Sequence, residues 1–258
     1  MPNLHDEQTL SIAAILRRAE QLLPEYRRAI ADMPREIEFK GIGASGMFFF
    51  FAAVRPFAPK QILESGRMRG ESTLALARCF PEAHIISVEF DRRSKHAAIA
   101  ETKLKQYANV DLLYGDSRDI LPPRLQSGDA VLIDGPKEFR ALKLALQLLR
   151  TGKPCAVFIH DFFQDEPARK FVERYWPGAF FSDHPAFAAR FSALDSEIDP
   201  THGREWEHSA APFVCLPPGL PAPYSVLLFR VIMARARAIA ASKIARIFSP
   251  RRDRAESS

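Results

Sequence analysis

The sequence has no apolar run long enough to cross a bilayer as a helix: its longest, Met47–Val54, is eight residues, against the ~20 that a spanning helix needs. Its three cysteines, Cys79, Cys155 and Cys215, are odd in number, far apart and set among apolar neighbours. That excludes a disulfide framework, matches no zinc spacing, and fits buried thiols in a reducing compartment. The opening residues Met1–Glu7 are acidic where a signal peptide is basic and then apolar, so a cytoplasmic location is expected. In the segment after the first predicted strand, Gly66 and Gly70 are spaced Gly-x-x-x-Gly rather than Gly-x-Gly-x-x-Gly, which weighs against a dinucleotide pyrophosphate site there.

Net charge is nearly absent from the body. The total is +5, yet from Arg230 onward eight Lys/Arg face only Asp253 and Glu256, a net of +6, so residues 1–229 sum to −1. A nucleic-acid partner, which needs a basic body, is not expected. What is present is ordinary globular material, 258 residues with 47% hydrophobic and 26% charged, enough for one sizeable domain with appendages.

Residues 6–33 place Ile12, Ile15, Leu16, Ala19 and Leu23 on one helical face, with Pro24 expected to split the stretch into two helices. Pro34–Gly46 reads as a loop and the phenylalanine cluster of Met47–Phe51 as core. From Lys60 short apolar runs alternate with helical stretches, the pattern of βα units on a parallel sheet. Strands are predicted at 61–64, 84–89, 110–114, 130–134 and 156–160, with helices near 72–79, 93–107 and 138–150 between them. Residues 166–175 look helical, 176–220 show few periods, Tyr224–Val231 reads as a last strand and Ala234–Ile247 as a basic helix. The expected organisation is an N-terminal helical extension (1–46), an α/β domain (47–231, with a variable insert at 166–223) and a basic C-terminal helix and tail (232–258).

The strand ends carry the chemistry. Strand one closes on Glu64, followed by a turn containing Gly66 and Gly70 and a helix start at Ser72 or Thr73. Glycines there let backbone approach a ligand, and the helix start offers free N–H groups. Glu89 ends strand two, where an acid can accept both hydroxyls of a ribose. Asp116 and Ser117 follow strand three, Asp134 ends strand four with Lys137 three residues on, and His160-Asp161 ends strand five. Each acid has a plainer reading as a solvated helix cap, Lys137 as a surface lysine, and His160 as a satisfied core group. Five acids at one rim, however, repel unless a ligand or cation offsets them. The residues His202–His208, with His184, fit no zinc pattern and read as a loop over the site.

In this order and spacing the motifs at Glu64–Ser72, Val88–Asp91, Gly115–Pro122 and Leu149–Pro154 resemble class I S-adenosylmethionine-dependent methyltransferases, in particular small O-methyltransferases of the catechol and caffeoyl-CoA type, over residues 60–163. The resemblance implies a Rossmann-like, doubly wound, mostly parallel seven-stranded sheet. It also implies S-adenosylmethionine as cofactor, with Gly66 and Gly70 at its methionine half, Glu89 on the ribose and Asp116 with Ser117 at the adenine. Asp134-Gly-Pro-Lys137 is similar to the Asp-x-x-Lys of the catechol-type enzymes, in which the Asp binds metal and the Lys stands beside the acceptor hydroxyl. A lysine partly desolvated near a cation would have a lowered pKa and could act as a base.

Phe162 departs from the family, standing where metal-dependent members have a second ligand. His160 is not expected to replace it, because successive strand residues face opposite ways. This implies metal-independent or weakly metal-dependent transfer, with His160 or Asp161 as a candidate base. The expected function is methyl transfer to a small-molecule oxygen or nitrogen acceptor; the alternative is a noncatalytic cofactor-binding scaffold or regulatory subunit. The sequence leaves the oligomeric state open. The tail from Ala234 mixes apolar and basic residues around its wheel, so any contact with an anionic membrane or partner is expected to be electrostatic, and removal of everything after Val231 is expected to spare cofactor binding.

Overall fold

The computed structural model describes residues 9–33, 41–198 and 211–248, with side chains to 244. Its sheet is built on strands buried along their whole length: β1 (Gln61–Ser65), β4 (Ala130–Ile133) and β5 (Ala156–Ile159) expose no residue, as expected of parallel strands covered on both faces. With β2 (His84–Glu89), β3 (Val110–Tyr114), β6 (Phe180–Phe181) and β7 (Val214–Leu216), the order is β3-β2-β1-β4-β5-β7-β6. Strands β1 to β5 pair in parallel, with Leu63 opposite Ile86 on one side and Val131 on the other. Strand β7 runs antiparallel between β5 and β6. The chain reverses winding direction between β1 and β4, which opens a crevice at their carboxyl ends.

Alternation along the strands feeds two cores. Ile62, Ile85, Leu132 and Phe158 face one side, where they meet α1 (Ile12–Ile30) and α2 (Ala44–Val54). Leu63, Val88, Val131, Ile133, Val157 and Ile159 face the other, under α6 (Glu138–Leu149), α7 (Pro167–Tyr175) and the C-terminal helix. Helix α2 is apolar all round and buried from Met47 to Val54, so the phenylalanine cluster is indeed core, and each ring removed from water contributes about 1.5–3 kcal/mol. Phe50 meets Phe158 edge-on with centroids 4.7 Å apart. The remaining helices are α3 (Glu71–Cys79), α4 (Lys95–Leu104), α5 (Ser117–Ile120), α8 (Pro185–Phe191), α9 (Ala193–Ile198) and α10 (Tyr224–Phe248).

Three expectations are corrected. Pro24 does not split the first helix: α1 continues through it. The proline lies on the exposed side, where the carbonyl it leaves without a partner can be hydrated, while Tyr26, whose hydroxyl donates to the Ala44 carbonyl at 2.7 Å, anchors the following turn. Tyr224–Val231 is the start of α10 rather than a strand. Its buried residues Leu227 and Val231 stand four apart, a helical interval that an almost continuous apolar run conceals. The last two strands lie instead in the stretch that showed few periods, and at two and three residues they are too short to display alternation. Residues 202–208 lie outside the described residues, and His184 caps α8, its Nδ1 accepting from the Ala186 amide.

Candidate active site

The turn after β1 is shaped by left-handed backbone at Gly66 and Gly70, both at φ +82°. At Gly66 an added Cβ would stand 2.7 Å from the Gly135 amide nitrogen, so only glycine lets the β1 and β4 tips approach. The tips are stitched by Asp134 N–H and Gly135 N–H donating to the Ser65 carbonyl at 2.8 and 2.9 Å. The Ser65 hydroxyl lies 2.7 Å from that of Ser117, tying in the end of β3. Gly70 serves packing, since its Cβ would meet Leu104 and Ala100 of α4.

Glu89 is held in place by the turn: one carboxylate oxygen accepts from the Arg67 and Met68 amides at 3.2 and 2.9 Å, the other from Phe90 N–H at 2.8 Å. Arg67 is buried, donates to the Ser87 and Leu113 carbonyls and stacks on Tyr114 at 4.5 Å. It braces β2 and β3 beneath the turn, a role that no local pattern of residues signals.

A cleft of about 900 Å³ runs along these strand ends, lined by Gly66, Glu89, Gly115, Asp116, Ser117, Gly135 and Lys137. Its outer wall is Arg140 and Lys143 of α6 together with Val231, Ile232, Arg235, Ala236 and Ile239 of α10. Sequence reasoning missed this wall. The only hint was the i, i+3, i+6 spacing of Lys137, Arg140 and Lys143. Because α10 supplies one side of the cleft, the expectation that everything beyond Val231 is dispensable does not fit the geometry.

Glu64 and Ser72 stand behind the cleft rather than on its lining. Glu64 is fully buried and accepts from Thr73 and, at 2.6 Å, Ser87. Burial raises its pKa, with hydrogen bonds from Ser72, Ser87 and Thr73 pulling the other way. Its Oε1 has no protein partner among the described residues. Asp116 caps α5 through the Arg118 amide at 2.9 Å and pairs with the Arg118 side chain, whose hydrogen bond lowers its pKa.

At the ends of β4 and β5 four groups converge. Lys137 Nζ lies 2.5 Å from Asp134 Oδ1 and 2.5 Å from Asp161 Oδ2, and His160 Nδ1 lies 2.7 Å from Asp134 Oδ1 and 3.4 Å from Asp161 Oδ1. Burial pushes Asp134 up, but the hydrogen bond and charge of His160 and then Lys137 outweigh it and hold the carboxyl at about 2. Burial pulls Lys137 down, and the two carboxylates outweigh that in turn, so its pKa is raised. The expected lowered lysine is therefore corrected. The ammonium bridges two carboxylates, and the rim acids are offset largely by the chain's own cations.

The expectation that His160 and Asp161 face apart is also overturned. Strand β5 ends at Ile159, and Asp161 takes a left-handed backbone at φ +57°, which breaks the alternation and turns both side chains towards Asp134. Asp134, His160 and Asp161 offer ligand atoms all within 4.8 Å of one another. Phe162 is buried in the core, and its carbonyl accepts from the buried Arg169 at 3.0 Å, which fixes the segment after Asp161.

Residues 63–162 match a family model described as a methyltransferase domain. The chain is 34% identical over 103 residues, 36% of its length, to a catechol O-methyltransferase of Niastella koreensis, and spans 46% of that curated relative. The solved structure of the O-methyltransferase TomG from Streptomyces achromogenes, involved in tomaymycin synthesis and in complex with S-adenosylmethionine, aligns over 82% of this chain and 92% of its own at 17% identity and a TM-score of 0.50, a likeness of fold. Residues 63–162, with their strand order and the turn after β1, thus match a methyltransferase domain in sequence and share the fold of a solved O-methyltransferase.

Proposed function

We propose that the protein transfers the methyl group of S-adenosylmethionine to a small-molecule oxygen acceptor, nitrogen being the second choice. The observation that carries this reading is Glu89, an acid at the end of β2 whose carboxylate is set by three backbone amides at the edge of the cleft. So placed, it can accept the paired hydroxyls of a ribose without reorganising. The residues present fit the cofactor: Gly66 leaves the turn free of a Cβ at the methionine end, and Asp116 and Ser117 line the cleft where the adenine end would lie. When bound, the cofactor supplies an activated methyl on a sulfonium, so the chain's task is alignment and proton removal.

The polar cluster supplies the second part. With Asp134 ionised and accepting from His160 Nδ1, the imidazole is oriented, while Lys137, which reaches the cleft, would hold positive charge beside the acceptor's oxygen. The acceptor's proton passes to His160 or Asp161. Asp134, Asp161 and His160 fit a divalent cation in ligand type, two oxygens and one nitrogen, but Lys137 competes for the carboxylates, and we therefore read the transfer as independent of metal or only weakly dependent on it. Titration calorimetry with S-adenosylmethionine, S-adenosylhomocysteine and nicotinamide dinucleotides tests the reading. Micromolar binding of the first two and not the third is expected, with Glu89→Ala losing charge-assisted hydrogen bonds worth about 1.5–3 kcal/mol, roughly ten- to a hundredfold in affinity. Unchanged affinity in that variant refutes the ribose assignment.

A further inference from the structure

Helix α10 carries more apolar surface than the body covers. Leu227 and Val231 are buried, and Ala234 and Ala238 pack beside them, which fixes the inward face. On the far side Phe229 is 64%, Ile244 56%, Val226 39% and Met233 38% exposed. At 100° per residue these four fall within a sector of roughly 60°, centred roughly 140° round from the inward face. One exposed apolar side chain is ordinary, but a stripe running along five turns is not. From Ile239 to Ile244 every residue is exposed, so Ile244 has no core to serve, and a helical end without packing is marginal in water.

The charge on the helix selects what covers the stripe. Tyr224–Phe248 contains five Lys/Arg and no Asp or Glu. Arg230 and Arg237 border the stripe on one side and Arg235 lies beyond it on the other, while the Lys243 stem is long enough to lie along apolar surface with its ammonium raised. A second copy of the helix would set cations against cations. An anionic bilayer offers apolar depth and negative headgroups together, and no helix among the described residues is long and apolar enough to cross it.

We propose that α10 docks the protein on anionic lipid bilayers by lying in the interfacial plane, with Phe229, Met233 and Ile244 among the acyl chains and the arginines at the phosphates. The attachment is thus insertive as well as electrostatic. On the sequence wheel the inward residues Leu227, Val231, Ala234 and Ala238 stand on the opposite side from the stripe and blur it; once the body covers them, the outward face is apolar with basic margins.

Full-length protein is sedimented with vesicles of phosphatidylcholine alone and with vesicles containing about 30% phosphatidylglycerol. Binding to the second and not the first is expected, with part of it surviving high salt. The double variant Phe229→Glu/Ile244→Glu should lose at least about tenfold in partitioning while its helical circular dichroism and unfolding midpoint match the unaltered chain. Ile244→Glu alone, in a turn free of the body, should give a smaller loss and guards against a folding defect. The proposal is overturned if the unaltered chain ignores anionic vesicles, if the charged variants bind as well as it does, or if velocity sedimentation shows a dimer that Phe229→Glu dissociates while vesicles are ignored.

Discussion

Asp134 is the most constrained charge in the cluster, and Asp134→Asn tests the constraint directly. Its carboxyl falls from an ordinary 3.8 to about 2. At about 1.36 kcal/mol per pKa unit this corresponds to about 2 kcal/mol of stability. The side chain is 21% exposed, so screening by solvent removes little of it. Because the folded pKa is depressed, the contribution is fully present above the unfolded value and is lost as pH falls through the folded one. The window is therefore about pH 4 down to about pH 2. Urea unfolding of the unaltered chain and Asp134→Asn should show a gap of about 2 kcal/mol or more at pH 7 that narrows across that window. Lys137, with its pKa raised, adds the alkaline counterpart: its contribution is lost only as pH climbs beyond the ordinary 10.5. A double-mutant cycle with Lys137→Met should return a positive coupling between the two. A gap near zero at pH 7, or one that stays constant down to pH 2, would refute the cluster as the cause.

Three further outcomes are expected. Gly66→Ala forces a Cβ against Gly135 backbone at φ +82° and should cost about 2 kcal/mol or more by urea titration, with cofactor binding lost as well. Lys137→Met frees Asp134 and Asp161 from their ammonium, so calorimetry should find tighter Mg²⁺ or Mn²⁺ binding than in the unaltered chain, whose turnover should in turn withstand a chelator. Truncation after Val231 removes the Ile232, Arg235 and Ile239 wall of the cleft and should weaken S-adenosylhomocysteine binding, whereas truncation after Ala240 should leave it unchanged; equal affinity in both would show that the wall is idle.

The first five strands were legible because a buried parallel strand is a short apolar run between turn signals, and Ile85–Val88 or Val131–Ile133 cannot be much else. The strand-end acids were legible for a related reason, since an apolar run closed by Glu89 or Asp134 places a charge where the sheet stops. Tyr224–Val231 misled because both its inward and its outward faces are apolar, so helical spacing leaves no polar gap to count. Strands β6 and β7 were illegible because antiparallel partners specify them, Phe180 against Cys215 and Phe158 against Cys215, and such long-range pairing leaves no local period.

The polar cluster shows where local reasoning ends. Strand alternation places His160 and Asp161 on opposite faces, which holds only while the strand continues. One left-handed residue at Asp161 suffices to bring both onto Asp134, and neither its identity nor its spacing announces that conformation. A non-glycine residue at φ +57° is costly by about 1–3 kcal/mol, and the surrounding contacts are what hold it: Lys137 on its Oδ2, and the next residue pinned by Phe162 N–H to the Pro212 carbonyl at 2.9 Å and by Arg169 on the Phe162 carbonyl. Phe162 therefore acts as an anchor. Its burial fixes the turn that brings His160 and Asp161 together on Asp134, and the bridging Lys137 sets a positive charge between the two carboxylates.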